Sequence, residues 1–574
     1  MIDGGTHAEE THDYRSGTSA GSERRSEARR RTLTAKLSRM DTSSAPGAPL
    51  PRVTYSNITQ DFSAVHARLD ETIEAFARTG LGGVVRNRAR GVDLPAADER
   101  SIPSPIDARI VLARFHGAPD DAVDAAVAAA HAAYSAWCEL GWEARVAIVE
   151  RVAQGIEARK WDLAVASLLE VGKSRMEAMG EVEEAIDLVR YYCGEMRVND
   201  GYRRAMQRAF PHEATEVVLR PHGVFAVIAP FNYPVALATS MITGALLGGN
   251  TVVFKPSPGA ALTAGMLVDV FERAGLPAGT INLVCGDAST GRALGRHPNV
   301  RGVVFTGSHA VGMELLRERA LGPHAIPVIA EMGGKNPAYV CESANLDDAV
   351  EGVARSAFGL SGQKCSCESR VIVHAAHYDE FVERLVARAR QMPIGDPRER
   401  ATFIGPVINA AADARYARAV DEARRDGALR LGGERLRGGV FDHGFYLRPV
   451  IVTGLPDAHR LHRDELFLPF LTVQRFTALD DALAQGNAVN YGLTAGIYTN
   501  DSRELARFLE RAEAGVLYAN RASGATTGAW PGIQTFCGWK GSGTTSKGGL
   551  GPFYLPQFMR EQSRTIIAPA ERHA

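Results

Sequence analysis

Short apolar runs that alternate with segments of helical length restrict the possible folds of this chain more than any other feature. Each run is rich in Val, Ile or Phe and is bounded by Gly or Pro. The runs are GVFAVIAP (223–230), NTVVFKP (250–256), TINLVCG (280–286) and RGVVFTG (301–307). Continuously apolar strands that alternate with helices form a parallel sheet with helices on both faces. The pattern therefore predicts an α/β domain.

A second alternating region follows in the C-terminal half of the chain. Its apolar runs are IPVIAEMGGKNPAYVC (326–341), RVIVHAA (370–376), YLRPVIVTG (446–454), PFLTVQRF (469–476) and TAGIYTN (494–500). A chain of 574 residues is too long for one ordinary hydrophobic core, so we expect two α/β domains. The segment 203–222 fits neither pattern, and we expect it to be an excursion from the first domain.

Residues 1–50 differ from the rest of the chain. They are rich in Arg, Ser and Thr and nearly free of large apolar side chains. Such a segment cannot bury enough apolar surface to offset the entropy of ordering, so we predict a disordered tail. It lacks the apolar centre of a signal peptide, and its acidic residues argue against an organelle transit peptide.

Composition and charge exclude several classes of function. The 65 basic residues balance the 66 acidic ones, so no positive field exists to attract nucleic acid or an anionic membrane. No apolar run approaches the length of a membrane span. The seven cysteines are scattered and odd in number, which is typical of a reducing compartment. We therefore expect a cytoplasmic protein.

Polar residues follow the strands of the first domain, and in open α/β sheets ligands bind beyond the carboxyl ends of the strands. The residues at these ends are Asn232 and Tyr233, Lys255 and Ser257, and Thr306, Gly307 and Ser308. Gly286 and Gly291 lie in the turn GDASTG, whose spacing is not the usual GxGxxG. Together these residues predict a cradle for phosphate and ribose groups, whereas each cluster alone is compatible with an ordinary loop.

Two cysteines stand one residue apart in SGQKCSCESR (361–370). A metal site needs about four ligands, and no nearby Cys or His pair completes the set of Cys365 and Cys367, although His374 is close. A redox pair of the CxxC type needs two intervening residues. We therefore predict neither a metal site nor a redox couple. One nucleophilic thiol is compatible with the pattern, but inert buried cysteines are the more common outcome.

Five motifs occur together and in order along the chain. They are PFNYP (230–234), VVFKPS (252–257), FTGS (305–308), EMGGKNP (331–337) and GQKC (362–365). Together they resemble the aldehyde dehydrogenase superfamily, from about residue 70 to about residue 565. The resemblance implies an α/β fold whose parts are a Rossmann-like cofactor domain (51–202 and 223–330), a second α/β catalytic domain (331–548) and a small β oligomerisation element (203–222 and 549–568).

The resemblance also implies a catalytic set. Cys365 corresponds to the family's nucleophile and Glu331 to its general base. The side-chain amide of Asn232 corresponds to the group that holds the oxyanion together with the backbone N–H of Cys365. The thiolate adds to an aldehyde, hydride passes to a nicotinamide cofactor, and Glu331 activates the water that hydrolyses the thioester. Cys367 has no role in this scheme.

The cofactor implied is NAD, with NADP as a further possibility. Lys255 corresponds to a contact with the cofactor ribose, and Glu465 of the stretch ELFLP to a contact with the nicotinamide ribose. In ELFLP, Leu468 replaces the family's usual glycine, so the resemblance does not predict the conformation of this loop. Pro258 stands where NAD-preferring members usually carry an acid, so nothing there repels a 2′-phosphate. The remaining positions expected to bind the cofactor are Ser257, Gly286, Gly291, Thr306, Gly307, Ser308 and Phe467.

The substrate implied is glutamate γ-semialdehyde. RYYCGEM, the serine after the nucleophile and NRASGATTG (520–528) resemble the pyrroline-5-carboxylate dehydrogenase branch of the superfamily. In this branch a small pair of residues binds the amino-acid end of the substrate, and that pair corresponds to Gly524 and Ala525, with Ser366 nearby. Two departures affect the pocket: the loop from Gly524 to Phe536 is longer than usual, and Cys537 replaces a glycine.

The partners implied are a small aldehyde and further copies of the chain, because subunits of the superfamily associate through a β-hairpin excursion and a C-terminal strand. Oxidation of another semialdehyde or of an aliphatic aldehyde is the first alternative function. A thiol esterase or acylating enzyme on the same fold is the second, and a non-catalytic scaffold is the third. The presence of Cys365, Glu331 and Asn232 argues against the scaffold.

Overall fold

A computed structural model of the chain describes residues 50–58, 60–522 and 526–567. Nearly all of the tail that was predicted to be disordered lies outside these residues, as do Gly524 and Ala525 of the predicted substrate loop. The described residues from Arg52 onward group into a single unit. The predicted domain boundaries therefore stay predictions.

The elements are numbered along the chain. The helices are α1 (Ser63–Thr79), α2 (Asp120–Glu139), α3 (Gly141–Ala158), α4 (Lys160–Val171), α5 (Arg175–Val198), α6 (Ala236–Leu247), α7 (Ala261–Arg273), α8 (Ala288–Arg296), α9 (His309–Ala320), α10 (Leu346–Phe358), α11 (Tyr378–Gln391), α12 (Ala410–Asp426), α13 (Leu479–Asn487) and α14 (Ser502–Arg511). The strands are β1 (Gly83–Val85), β2 (Arg88–Ala89), β3 (Val92–Asp93), β4 (Glu99–Pro103), β5 (Val111–His116), β6 (Arg203–Ala205), β7 (Glu213–Pro221), β8 (Val224–Ile228), β9 (Thr251–Lys255), β10 (Ile281–Leu283), β11 (Val300–Thr306), β12 (Val328–Glu331), β13 (Asn336–Val340), β14 (Glu368–His374), β15 (Ala428–Leu431), β16 (Val450–Thr453), β17 (Phe470–Phe476), β18 (Tyr491–Gly492), β19 (Thr494–Tyr498), β20 (Val516–Ala519), β21 (Trp539–Lys540) and β22 (Met559–Ile567).

The runs of the first alternating region form neighbouring strands of one seven-stranded sheet. Its order is β12-β11-β8-β9-β10-β2-β3, and the strands from β12 to β10 are parallel. The predicted α/β class is therefore confirmed. Two short antiparallel strands at one edge, β2 and β3, are not predicted by the sequence pattern, because each has only two residues.

An Ala-rich face lets helix α2 pack closely on this sheet. Ala122, Ala126 and Ala130 are fully buried in the same cluster as Val224 of β8 and Val253 of β9. Small side chains at helical spacing allow the helix axis to approach the strands, and the larger strand side chains fill the space between them. The packing fixes the sheet whose strand ends form the candidate site.

The second alternating region forms another seven-stranded sheet, with the order β15-β16-β17-β14-β13-β19-β20. The run 326–341 does not lie in this sheet alone. Its first part is β12, which pairs with β11 in the first sheet, and its second part is β13, which pairs with β14 in the second sheet. The chain crosses between the sheets at Met332–Lys335, so Glu331 ends a strand of the first sheet.

The segments 203–222 and 549–568 meet in a three-stranded antiparallel sheet of the order β22-β7-β6. Strand β22 pairs with β7 from Met559 opposite Pro221 to Ile567 opposite Glu213. The side chains of Ile566 and Ile567 are more than half exposed. The role of this sheet in oligomerisation stays a prediction.

None of the helices in the described ranges is both long enough and apolar enough to cross a membrane.

Candidate active site

A cavity of about 560 Å³ lies at the carboxyl ends of the first sheet's strands. Most residues that were predicted to bind a cofactor line it. They are Lys255, Ser257, Gly291, Thr306, Gly307, Ser308, Glu465 and Phe467. Pro258 lines the same cavity. The structure thus brings together polar residues that are more than 200 positions apart in the sequence.

Gly286 is the one predicted cofactor residue that is not part of this lining. A Cβ atom on Gly286 would lie 2.0 Å from Oγ1 of Thr290, which is too close for any side chain. A glycine here allows the turn between β10 and α8 to pack closely, and its role in cofactor binding stays a prediction. In that turn the side chain of Asp287 caps α8 by accepting a hydrogen bond from the N–H of Ser289 at 2.9 Å.

The start of helix α9 provides backbone donors at the cavity wall. Ser308 is its N-cap residue, and the Ser308 hydroxyl oxygen accepts a long hydrogen bond from the N–H of Val311 at 3.5 Å. The first N–H groups of a helix have no partner within the helix, and the helix dipole favours a negative charge beside them. This end of the cavity is suited to phosphate oxygens.

Lys255 is buried at the end of β9 beside the same cavity. Its ammonium group donates a hydrogen bond to the backbone oxygen of Pro256 at 3.0 Å. Burial lowers the pKa of Lys255 to about 8. The remaining N–H bonds of this group are available to a polar ligand such as a ribose hydroxyl.

Cys365 stands where the large cavity meets a second, smaller one of about 130 Å³. Glu331 and Ser366 line the small cavity, and Asn232 lines the large one. The side-chain amide of Asn232 donates a hydrogen bond to the backbone oxygen of Gln363 at 3.0 Å. The three residues predicted to be catalytic therefore line two cavities that share Cys365, with Asn232 in the large one and Glu331 in the small one.

The turn that presents Cys365 has an unusual backbone. Leu360 and Ser361 have left-handed φ angles of 49° and 52°, and Gly362 follows with a φ of 70°. A Cβ atom on Gly362 would lie 2.0 Å from the backbone oxygen of Leu468, so only glycine fits. Such a run is costly for L-residues and persists because the surroundings fix it.

Asn336 holds this turn from the second sheet. Its side-chain amide donates hydrogen bonds to the backbone oxygens of Cys365 at 2.7 Å and Cys367 at 2.8 Å. Its side-chain oxygen accepts a bond from the N–H of Thr494 at 3.1 Å. The sequence analysis did not assign this residue a role, although Asn336 belongs to the quoted motif EMGGKNP.

The two neighbouring cysteines have different surroundings. Cys367 is buried and lines neither of these two cavities, and its sulfur faces the backbone oxygen of Gly359 at 4.0 Å. Burial raises the pKa of Cys367 to about 11. Cys365 is the thiol that a ligand in either cavity can reach.

Glu331 ends strand β12 beside Thr306 of β11. Its Oε2 atom is buried and has no hydrogen-bond partner within the described ranges. Burial raises the pKa of Glu331 well above its ordinary value. The pKa of the Cys365 thiol is also raised, by burial first and then by the charges of Glu465 and Glu331.

A buried ion pair fixes the loop that carries Asn232. Glu181 on α5 accepts a hydrogen bond from Lys173 at 2.6 Å, and its other oxygen accepts the N–H groups of Val235 at 2.7 Å and Ala236 at 3.2 Å. Glu181 thereby accepts hydrogen bonds from the N–H groups at the start of helix α6, which closely follows the motif PFNYP. Breaking a buried pair of this kind leaves an uncompensated charge and is strongly destabilising.

The stretch ELFLP closes the large cavity from the second sheet. Glu465 accepts a hydrogen bond from the N–H of Gly334 at 3.0 Å, and burial raises the pKa of Glu465 to about 7. Phe467 takes the left-handed conformation with a φ of 58°, whereas Leu468 is buried in the core. Leucine is tolerated in place of glycine because the sharp backbone turn falls on the preceding residue.

The predicted substrate loop is partly described. Gly524 and Ala525 lie outside the described residues, but Thr526, Thr527 and Ala529 beyond them line the small cavity. Cys537 lies beside Gly515, and its thiol contacts the backbone oxygen of Gly515 at 3.4 Å.

Comparison with known protein families identifies the class of protein. Residues 96–563 match the sequence profile of the Aldehyde dehydrogenase family. The chain belongs to this family, and the match includes the cysteine turn and nearly all residues that line the two cavities.

Comparisons with individual proteins indicate a narrower group within the family. The chain is 35% identical over 470 residues to a 1-pyrroline-5-carboxylate dehydrogenase of Anoxybacillus flavithermus, which covers 81% of this chain and 88% of the relative. A solved 1-pyrroline-5-carboxylate dehydrogenase from Thermus with bound NAD superposes with a TM-score of 0.84 at 31% identity, over 92% of this chain and all of that one. Proline utilization A of Bdellovibrio bacteriovorus is longer: the match, at 33% identity and a TM-score of 0.83, covers 92% of this chain and 55% of that protein.

Proposed function

We propose that this chain oxidises glutamate γ-semialdehyde, the open-chain form of 1-pyrroline-5-carboxylate, to glutamate with NAD as the hydride acceptor in proline catabolism. The observation that supports this most directly is the position of Cys365 between two cavities of different size. The large cavity has the polar strand-end lining of a dinucleotide site, and the small one suits a short aldehyde. The names of the relatives favour this aldehyde.

The residues of the large cavity fit a dinucleotide. Lys255 would hold a ribose, the helix start behind Ser308 would hold the phosphates, and Glu465 would accept a hydrogen bond from the second ribose. When bound, NAD supplies the carbon atom that accepts a hydride from the substrate. The lining of the large cavity also includes two acids, Asp287 and Glu465, and the basic residue Arg292.

The first step in our proposal is the addition of the Cys365 sulfur to the aldehyde carbon, which turns the carbonyl oxygen into an oxyanion. A side-chain amide has two N–H donors, and Asn232 uses only one of them on Gln363. The other can donate to the oxyanion, together with the backbone N–H of Cys365. Such preplaced donors typically lower the barrier by about 3–4 kcal/mol each.

Glu331 acts on the thioester that remains after oxidation. Its carboxylate takes a proton from water, the water oxygen bonds to the thioester carbon, and the carbon–sulfur bond breaks to release a carboxylic acid and the Cys365 thiolate. Burial raises the pKa of Glu331, so its carboxylate is a stronger base than an exposed glutamate. The free oxygen Oε2 is available for this proton.

The cellular location and the oligomeric state of the enzyme are also part of the proposal. We expect a cytoplasmic homo-oligomer in which the three-stranded sheet of β6, β7 and β22 contributes to the interface. The exposed side chains of Ile566 and Ile567 at the end of β22 support this assignment, since large apolar groups are usually covered in an assembly.

A substrate panel tests the proposed function. Purified protein should form NADH with glutamate γ-semialdehyde at a kcat/KM at least about tenfold above those for propanal and succinic semialdehyde. A preference for propanal would instead favour an aliphatic aldehyde dehydrogenase. Hydrolysis of an activated ester without any NADH formation from these aldehydes would favour the thiol esterase.

With proline at position 258, we expect the enzyme to accept NADP as well as NAD. The residue lines the large cavity at the start of a short 3₁₀ turn. Its side chain carries no charge that could repel the 2′-phosphate of NADP. Pro258→Glu should lower kcat/KM for NADP by about tenfold relative to NAD, because like charges repel each other in a partly buried site.

The matched control is Pro258→Gln, which has nearly the same size as the glutamate variant and no charge. Its ratio of kcat/KM for NADP over NAD should stay near that of the wild type. If both variants change the ratio equally, the effect arises from the loss of proline, and the charge argument is wrong.

A further inference from the structure

Three buried hydroxyl groups form a chain that leads to the small cavity. The Oη atom of Tyr192, on helix α5, lies 3.0 Å from the Oγ atom of Ser240, on helix α6. The ring of Tyr554 stacks on that of Tyr192, with centroids 5.2 Å apart. Burial raises the pKa of Tyr554, and a hydrogen bond with Ser240 acts in the opposite direction. Each of the three residues is at most 5% exposed, so their hydroxyl groups depend on one another for hydrogen bonds.

The direction of these hydrogen bonds follows from the first donor. The backbone N–H of Leu550 donates to the Oη atom of Tyr192 at 3.1 Å. A hydroxyl group has one proton to donate, so Tyr192 donates its own to Ser240, and Ser240 donates to Tyr554. The proton of Tyr554 is then the last in the series and is left for an acceptor in the cavity. Hydrogen bonds in such a series polarise one another, which makes the terminal O–H a better donor.

Glu331 faces the same small cavity as this hydroxyl chain. The residues that line the cavity include Glu331, Ser240 and Tyr554. Thr306 lies beside Glu331 on the neighbouring strand, and its hydroxyl contacts the sulfur of Met241, the residue after Ser240, at 3.6 Å. The charge of Glu331 also contributes, after burial, to the raised pKa of Tyr554. The hydroxyl chain and the carboxylate therefore border one volume of about 130 Å³, which has room for several water molecules.

We propose that the hydroxyl chain of Tyr192, Ser240 and Tyr554 positions the water that hydrolyses the thioester. The inference rests on the proposed function and deepens it, because it assigns residues to the second half of that reaction. The water oxygen accepts a hydrogen bond from Tyr554 through one lone pair and bonds to the thioester carbon through the other. A proton of the water passes to Oε2 of Glu331, the carbon–sulfur bond breaks, and the sulfur of Cys365 leaves as the thiolate.

A donor is needed here because a carboxylate can only accept. Glu331 takes a proton from the water but cannot donate a hydrogen bond to the water oxygen, so by itself it leaves the water free to rotate. A second contact, from an O–H donor, fixes the lone pair that must point at the thioester carbon. Such placement lowers the barrier, since less rotational entropy is lost on the way to the transition state. The hydroxyl chain supplies this donor from groups that the backbone N–H of Leu550 holds in one orientation.

The test separates the two halves of the reaction in Ser240→Ala, which interrupts the chain and leaves Glu331 and Cys365 unchanged. Rapid mixing of this variant with NAD and glutamate γ-semialdehyde should still give a burst of NADH of about one equivalent per active site. The steady-state rate should fall about tenfold or more, which is the loss expected when one hydrogen bond in the transition state is removed. Ser240→Thr keeps the hydroxyl group and should retain most of the steady-state rate.

Thr239→Val is the matched control on the same helix. The hydroxyl oxygen of Thr239 is buried, has no hydrogen-bond partner among the described residues and does not line the small cavity. This variant should therefore keep the wild-type burst and the wild-type steady-state rate. Acid quenching during turnover, followed by mass spectrometry, should show more acyl adduct on Cys365 in Ser240→Ala than in Thr239→Val or the wild type.

Equal losses of burst and steady-state rate in Ser240→Ala, or an unchanged steady-state rate, would overturn the proposed role of the chain. Tyr554→Phe removes the terminal donor and should give the same retained burst and slow turnover, so it decides the matter if Ser240→Ala fails to fold. Failure of the proposed function is recognised separately. A wild type that forms NADH only with propanal would change the substrate, and the same variants would then test the chain with propanal. A wild type that forms no NADH with either aldehyde would overturn the proposed function together with this inference.

Discussion

Replacing Cys365 by alanine is expected to abolish aldehyde oxidation, with a fall in kcat of about 1,000-fold or more. The reason is positional: this sulfur borders both cavities, and no other thiol lines either of them in the described part of the chain. NAD should still bind, because the residues that would hold it stay in place. The measurements are NADH formation and, separately, binding of NAD by fluorescence quenching or calorimetry.

Cys367→Ala is the matched control for this variant. The Cys367 thiol is buried behind the turn, so its removal should cost about 1 kcal/mol of stability and leave most of the activity. The melting temperature separates this loss from a loss of chemistry. An active Cys365→Ala together with an inactive Cys367→Ala would show that the nucleophile has been assigned to the wrong residue.

Glu331→Gln is expected to stop the reaction after the hydride has been transferred. The amide has about the same shape as the carboxylate but cannot take a proton from water, so the thioester should accumulate. Rapid mixing should show a burst of NADH of at most about one equivalent per active site. The steady-state rate that follows should be about 100-fold or more below that of the wild type.

The burst distinguishes two possible roles of Glu331. If the burst disappears together with the steady-state rate, Glu331 acts earlier, by removing the proton of Cys365. That outcome is physically reasonable, because the nearby charge of Glu331 contributes to the raised pKa of the thiol. Glu465→Gln is a suitable comparison, since its carboxylate lies on the cofactor side and should mainly affect KM for NAD.

The sequence predicted the fold class because the relevant pattern is local. Apolar runs such as 223–230 and 250–256 are buried on both faces and therefore contain few polar positions, so each one identifies its strand without knowledge of its neighbours. The sheet order confirms the parallel arrangement. The run 326–341 shows the limit: periodicity cannot reveal that the chain leaves one sheet at Glu331 and enters another at Asn336.

The candidate site was predictable where a motif carries its own chemistry. Cys365, Glu331 and Asn232 each belong to a short recognisable stretch, and in the structure each of them lines one or both of the two cavities that share Cys365. Gly286 was assigned to the cofactor on the same grounds. The structure shows that a side chain at Gly286 would meet Thr290, whereas its contact with a cofactor stays a prediction.

Tertiary structure alone decided the remaining features. Neither the left-handed run that ends at Gly362 nor the contact of Asn336 with both cysteine carbonyls leaves a signal in the sequence, because each depends on segments that are distant along the chain. The identity of the strands and of the motifs that bear the chemistry can be read from the sequence, since those properties are local. Which side chains face a cavity and which charges are compensated was decided only by folding, because burial and pairing are properties of the assembled chain.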